Sequence, residues 1–230
     1  MVTKQTDDLA TLDFLAGETL LIDKPPQWTS FKVVHTIRKA INVKRVGHTG
    51  TLDPLATGLL IILTGRNTKQ MINFEGFSKT YTGTILLGKS SPSMDTETEM
   101  TNRDLPENLN DDLIIKTRDT FLGNIEQIPP MYSALKVDGK KLYDLARKGK
   151  EVERKPRKVI ISRFEITRID IPEIHFDIQC SKGTYIRVIA NDFGEKLGCG
   201  AVLKKLRRTA IGDYSVENAL SVEEFVKKVT

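Results

Sequence analysis

Two strand-length runs, 157–170 and 173–181, are separated only by Ile171-Pro172. Both carry Ile and Phe at intervals that suit a pleated surface. A connection this short can join only antiparallel neighbours, because a parallel return needs a crossover of about a dozen residues or more. A chain with such a pair cannot be a uniformly parallel α/β protein. The rest of the pattern supplies its partners. Residues 19–23 read as a short strand stopped at Pro25-Pro26, where two prolines remove ladder donors. Thr29 or Ser30 can cap a helix whose apolar face is Phe31, Val34, Ile37, Ala40 and Ile41. The aliphatic run 59–63 reads as a buried strand, 79–87 alternates as a strand should, and 109–122 has helical spacing. A short helix is expected over 140–148. Thr184 can cap another, with Ile186, Ile189, Ala190, Phe193 and Leu197 on one face and Gly198 at its end. A strand at 201–208 and a helix near 221–229 complete the chain. Mixed runs without an internal repeat predict an α+β fold, a largely antiparallel mixed sheet flanked by helices, as one domain over 1–230.

Composition excludes several classes. No aliphatic run approaches the roughly 20 residues of a membrane helix. The first twenty residues hold Asp7, Asp8, Asp13 and Glu18, which a secretory signal would not. Cys180 and Cys199 make no disulfide framework, and with three scattered histidines they make no metal-ligand cluster. A cytoplasmic protein without cofactor, metal or membrane is the expectation. Charge is segregated. Residues 136–168 hold twelve Lys or Arg against five Asp or Glu, and 182–208 hold seven against two. Residues 91–112 invert this, with seven acids and Arg103 as the one base. Such asymmetry fits a phosphate-binding face, and equally a solvated basic surface.

One formal motif fails on context. Residues 83–90 match G-x-x-x-x-G-K-[ST], but that loop works only where a helix begins at the Lys and aims its amides at phosphate. Here Thr84, Ile85, Leu86 and Leu87 belong in a strand, and Ser91-Pro92-Ser93 is a turn. The reading is strand then turn, and a phosphate-loop NTPase is rejected. The segment 47–58, Gly-His-Thr-Gly-Thr-Leu-Asp-Pro-Leu-Ala-Thr-Gly, is more informative. Its glycines allow tight turns or close approach to a ligand, and Pro54 fixes the backbone beside one carboxylate, Asp53. Composition and spacing leave two readings open: a structural turn, or a loop that presents a catalytic side chain.

That segment closely resembles the catalytic motif of the TruB family, tRNA pseudouridine synthases acting on the T-loop uridine. Asp23-Lys24-Pro25 resembles the family's first motif, and 78–81 (Ser-Lys-Thr-Tyr) its tyrosine strand. Residues 129–136 (Pro-Pro-Met-Tyr-Ser-Ala-Leu-Lys), 180–187 (Cys-Ser-Lys-Gly-Thr-Tyr-Ile-Arg) and 206–208 (Leu-Arg-Arg) follow in the family's order. The matches span about 18–215. The resemblance implies the pseudouridine synthase fold and isomerisation of the uridine conventionally numbered 55, without cofactor. It implies Asp53 as nucleophile, since sugar-centre chemistry develops positive charge at C1′ that an adjacent carboxylate stabilises or traps. Attack on C1′ and removal of the C2′ proton both remain open as its first act. Arg187 matches the arginine that pairs with the nucleophile. Tyr81 matches the tyrosine that stacks on the extruded uracil. Tyr185 and Leu206 match residues lining the uracil pocket, and His48 the histidine that takes the space vacated by the nucleotide. Lys24, with Lys136, Lys140, Lys141 and the 147–158 cluster, is a candidate for the surface that meets tRNA phosphates in the T-arm. No obligate protein partner is implied.

Three departures accompany the match. The chain ends soon after 213–215, so no separate C-terminal RNA-binding domain is expected. Residues 26–30 (Pro-Gln-Trp-Thr-Ser) replace a pattern that usually has Gly before the hydrophobic residue and Ser-Ser after it. Residues 90–110 depart from the usual segment after the tyrosine strand. Two other readings share these residues: a catalytically silent tRNA-binding or chaperone protein, and a synthase acting on another RNA. Asp53, Tyr81 and Arg187 together argue against the silent one.

Overall fold

A computed structural model describes residues 1–137 and 139–230, with Lys141 described in its backbone only. In chain order the elements begin with β1 (Thr19–Lys24), α1 (Ser30–Ile41), β2 (Val46–His48), β3 (Thr57–Thr64), α2 (Met71–Glu75) and β4 (Lys79–Leu87). The short pair β5 (Lys89–Ser90) and β6 (Thr101–Asn102) follows, then α3 (Asp111–Asp119) and β7 (Gly123–Gln127). A second short pair, β8 (Lys136–Val137) and β9 (Lys140–Lys141), leads to α4 (Leu142–Ala146). The last part is β10 (Arg157–Asp170), β11 (Glu173–Cys180), α5 (Ile186–Lys196), β12 (Ala201–Ile211), β13 (Tyr214–Ser215), β14 (Leu220–Ser221) and α6 (Val222–Val229). The chain forms two compact units, Met1–Thr82 with Lys205–Thr230, and Gly83–Lys204, so the boundary falls inside β4 and β12.

In the first unit β3 is central. It pairs antiparallel with β1 and β2 and parallel with the end of β12, while β14 adds to β1 in parallel. Alternation along β1 and β3 explains why 59–63 is apolar throughout. Leu20, Ile22, Leu60 and Ile62 face α1, α6 and the amino-terminal segment. Leu21, Leu59, Ile61 and Leu63 face Phe74, Ile211 and Val216. Both faces are covered, as expected for a buried strand. The first seventeen residues, for which the sequence offered no element, tuck Val2, Leu9 and Phe14 into the first cluster, with Phe14 edge-on to Phe225 at 5.9 Å.

Helix α1 differs from its predicted face. Thr29 caps it, its Oγ1 accepting from Lys32 N at 3.0 Å, but Ser30, Val33, Val34 and Ile37 are buried and Phe31 is 67% exposed. The error lies in phase: burial at 30, 33, 34 and 37 puts residue 31 about 100° away from the stripe.

In the second unit the predicted pair is present as β10 and β11, antiparallel from Ile161↔Cys180 to Asp170↔Glu173, with β7 on the outer side of β10. Phe121, Phe164, Phe176 and Phe193 form an aromatic cluster with centroids 6.0–6.3 Å apart. Residues 83–90 are strand and turn, with no helix at Lys89. The helix expected from Thr184 begins instead at Ile186 with Tyr185 as its uncapped N-cap. The Thr184 hydroxyl donates back to Ser181 O at 2.9 Å, a turn bond that competes with capping. Helix α3 starts later than its apolar spacing implied because Asn110 caps it, accepting from Leu113 N. The helix expected over 140–148 shrinks to α4, its first residues being taken by β9.

Candidate active site

The segment 47–58 is fastened from three elements of the first unit. Ser30, buried at the start of α1, bonds Leu52 twice: its Oγ donates to Leu52 O at 3.1 Å and accepts from Leu52 N at 2.9 Å. Next in the chain, Asp53 O accepts from Ala56 N at 3.1 Å, closing a four-residue turn with Pro54 at its second position, where proline presets φ. On the other side of Asp53, Pro54 O accepts from Lys24 Nζ at 3.2 Å. The backbone is therefore held immediately before, at and after the half-buried Asp53. A carboxylate on so constrained a turn is held in a fixed position.

Beneath the turn lie two cations with almost no solvent contact, Lys24 at 0% and Arg208 at 1% exposure. They are in register across three strands: Lys24 of β1 pairs with Gly58 of β3, and Gly58 with Arg208 of β12. Lys24 Nζ also donates to Pro25 O at 2.9 Å and Trp28 O at 2.6 Å. Arg208 Nε donates to Leu59 O at 2.7 Å and Nη2 to Gly50 O at 3.1 Å. Gly58 is required between them. Its φ is +104°, and a Cβ there would lie 2.3 Å from Arg208 O. Burial pushes the Lys24 ammonium down to about 8; the Asp53 carboxylate opposes that, the Arg208 guanidinium adds to it, and Asp23 opposes it. Asp23 is itself held by Arg207 in a two-pronged pair at 2.6 and 3.0 Å.

Lys24 thus departs from its expected place on a phosphate-facing surface. Its ammonium is committed to three carbonyls inside the loop's foundation, because three backbone acceptors converge where β1 ends. His48 ends β2 opposite Ile62 and is half-buried. Burial, and secondarily Arg208, push its imidazole below the usual value, so it is neutral at pH 7. Its Nδ1 and the neighbouring Thr49 Oγ1 are buried without a hydrogen-bond partner among the described residues. Tyr81 lies in β4, 8% exposed. Leu206, half-buried, is on the same face of β12 as Arg208 by the two-residue period.

Arg187 and Tyr185 belong to the second unit. Arg187 is 4% exposed in the first turn of α5, a position the helix dipole disfavours for a cation. Asp95 compensates, its Oδ2 lying 3.8 Å from Arg187 Nη1. Asp95 is itself oriented: its Oδ1 accepts from Ser93 Oγ at 2.6 Å and from Glu97 N at 2.9 Å. Tyr185 is fixed through its backbone by Gln127, which donates to Tyr185 O at 3.1 Å and accepts from Tyr185 N at 2.8 Å. The Tyr185 ring lies 5.9 Å from the Arg187 guanidinium carbon. Sequence reading missed Asp95 and Gln127. Asp95 was one of seven acids in 91–112; the signal that separates it is the Ser-x-Asp spacing in a turn after Pro92. Gln127 carried no signal, since one amide at a strand end is unremarked in any sequence.

The basic run of the second unit is exposed. Lys136, Lys140, Arg147, Lys148, Lys155 and Arg157 face solvent, and the side chain of Lys141 lies outside the described residues. Pro129, Leu135, Lys136, Leu142, Arg154 and Arg157 help line a cavity of about 320 Å³ there. Among the described residues no His, Cys, Asp or Glu group has the makings of a metal site, and no helix is long and apolar enough to cross a membrane.

The family described as TruB family pseudouridylate synthase (N terminal domain) matches residues 38–186, and a tRNA pseudouridylate synthase B C-terminal domain matches 187–230. A tRNA pseudouridine synthase B of Flavobacterium johnsoniae is 48% identical over 220 residues, 93% of this chain and 96% of that one. Its counterpart in Chlorobaculum tepidum is 50% identical, covering 93% and 91%. Among solved structures, a chain of a Cbf5–Nop10–Gar1 complex superposes with a TM-score of 0.71 at 28% identity. It covers 93% of this chain, which spans about half, 54%, of that longer one.

Proposed function

This chain belongs to the TruB family of pseudouridylate synthases, and on that premise we propose that Asp53 is the nucleophile of a tRNA uridine isomerisation. The reaction converts uridine in tRNA to pseudouridine. The C1′–N1 bond breaks, the uracil turns, a C1′–C5 bond forms, the C5 hydrogen leaves as a proton and N1 ends protonated. No atom is gained or lost overall, so no co-reactant is needed. The target proposed is the T-loop uridine at position 55, read with the T-arm as the recognised element.

The observation that carries this reading is the fastening of the Asp53 turn. A carboxylate held by backbone bonds at 52, 53 and 54 is preorganised for the developing charge at C1′. Asp53 would either attack C1′ or take the C2′ proton, and the turn supports both. Arg187, with the Asp95 carboxylate 3.8 Å from its guanidinium, is proposed as the arginine serving the nucleophile. Tyr81 is proposed to stack on the uracil, Tyr185 and Leu206 to line its pocket, and His48 to occupy the space the base leaves. A neutral His48 suits that last role, because an imidazole without charge is cheaper to bury against bases.

The test is release of tritium from unmodified tRNA labelled at uridine C5. Only formation of the new bond expels that hydrogen. The wild type should release one tritium per target uridine, and Asp53→Asn should slow this by about a thousandfold or more while still binding tRNA. A T-arm variant lacking the target uridine should release none. Wild-type activity in Asp53→Asn would refute the assignment.

A further inference from the structure

Phe31 is the one large apolar residue that α1 turns outward. It is 67% exposed, and its ring stacks on His35 one turn later, with 6.5 Å between centroids and 22° between planes. Lys32 and Lys39 share the outer face and are exposed, and the Lys32 ammonium stands 4.0 Å over the Trp28 ring. Residues 30–52 hold five Lys or Arg and no Asp or Glu, and Lys44 and Arg45 continue the exposed cations past the helix end. A flat aromatic pair among cations, with no acid nearby in sequence, has the chemistry of a nucleobase flanked by phosphates. A dry protein interface would need a wider apolar patch and fewer lysines.

The place of this face matters as much as its chemistry. The residue before Phe31, Ser30, is the one doubly bonded to Leu52. The stacked pair therefore begins next to the fastening point of the Asp53 turn, and an RNA strand delivering a base to Asp53 passes its flanking nucleotides over the surface around that turn.

We propose that the outer face of α1 is an RNA-contacting surface, in which Phe31 and His35 stack against an unpaired base of the substrate and Lys32 and Lys39 meet its phosphates. The proposal rests on the tRNA reading above and adds to it a second contact outside the reacting nucleotide. Stacking of this kind tolerates any base, so the surface contributes affinity rather than base selection.

The experiment uses the full chain and unmodified tRNA, measuring equilibrium binding, steady-state tritium release and thermal stability. Phe31→Ala/His35→Ala should raise Kd and KM about tenfold, leave kcat within about twofold and keep the wild-type melting temperature, since both side chains are exposed. Phe31→Tyr should bind as the wild type does, because the stacking surface is retained. Lys39→Ala should lower the slope of log Kd against log salt by about one. Wild-type affinity in the folded double variant, or a Phe31→Tyr as weak as Phe31→Ala, would overturn the surface. A wild-type enzyme that neither binds tRNA nor releases tritium would instead overturn the substrate reading, and this surface with it.

Discussion

In the first unit Lys24 and Arg208 are closed off from water and donate to five carbonyl oxygens, whereas in the second Lys136, Lys155 and Arg157 stand exposed around an open cavity. The residue types and formal charges are the same. In the buried pair the donors are committed to backbone carbonyls, and the product is a firmly held turn around Asp53. In the exposed set the charge stays available to a polyanion. The glycines repeat the contrast. Gly58 is wedged against the Arg208 backbone, while Gly149, also at positive φ, has nothing within 4 Å of the position a Cβ would take. The hydrogen bonds around 129–154 are largely local, such as Tyr143 N to Ser133 O and Lys150 N to Leu145 O, while those of 47–58 reach α1, β1 and β12. Chemistry at a fixed atom requires the first arrangement, and phosphate contact tolerates the second.

The largest effect that would sharpen this contrast is steric. Gly58→Ala meets a backbone atom at 2.3 Å with φ at +104°, so strand separation must occur and stability should fall by about 4 kcal/mol or more. Gly149→Ala meets only the left-handed strain, about 1 kcal/mol. Denaturant midpoints of the two variants decide it; similar losses would show that position 58 is no more tightly packed than position 149.

Next comes removal of the guanidinium. Arg208→Met leaves Leu59 O and Gly50 O without their donor and should cost about 2–4 kcal/mol, with kcat reduced at least about tenfold as the turn loosens. Arg157→Met should stay within about 0.5 kcal/mol, keep kcat and lose about one unit of salt slope in tRNA binding. A pair of variants with interchanged signatures would show that the buried cation, not the exposed one, meets RNA.

The smallest effect is a pH dependence. Lys24 loses its proton near pH 8 rather than at 10.5 because it is buried. A neutral amine has two N–H donors for three carbonyls, so kcat should fall about two- to tenfold through pH 8. Stability moves the other way. Between about pH 8 and 10.5 the unfolded chain holds the Lys24 proton and the folded one does not, so this group's contribution to unfolding free energy rises with pH, by about 3 kcal/mol at most. Steady-state rates and melting curves over pH 7–10 check both signs, with Lys24→Met as control. An unchanged alkaline limb in Lys24→Met would assign it to another group.

Much of this was legible in the linear chain because it depends on local pattern. The pair 157–170 and 173–181 follows from a connection too short for any other pairing, and it appears as β10 and β11. The run 59–63 announces a strand covered on both faces, which β3 is. The false phosphate loop is rejected by the residues inside it. The collinear motifs pointed to the family, to which the chain belongs. Tertiary structure decided what local pattern cannot carry. Phe31 lies outside because the helix phase is set by what Ser30 and Val33 pack against. Lys24 is buried because the chain turns back after β1, bringing the carbonyls of 25 and 28 onto its ammonium, and the pairing of β1 with β3 adds the carbonyl of 54 from thirty residues away. Asp95 and Gln127 acquire their roles from residues 92 and 58 positions away, Arg187 and Tyr185. A side chain's type states which bonds it can make, but burial and long-range register select among them, because the partners are backbone groups that every residue possesses and only folding brings to one place.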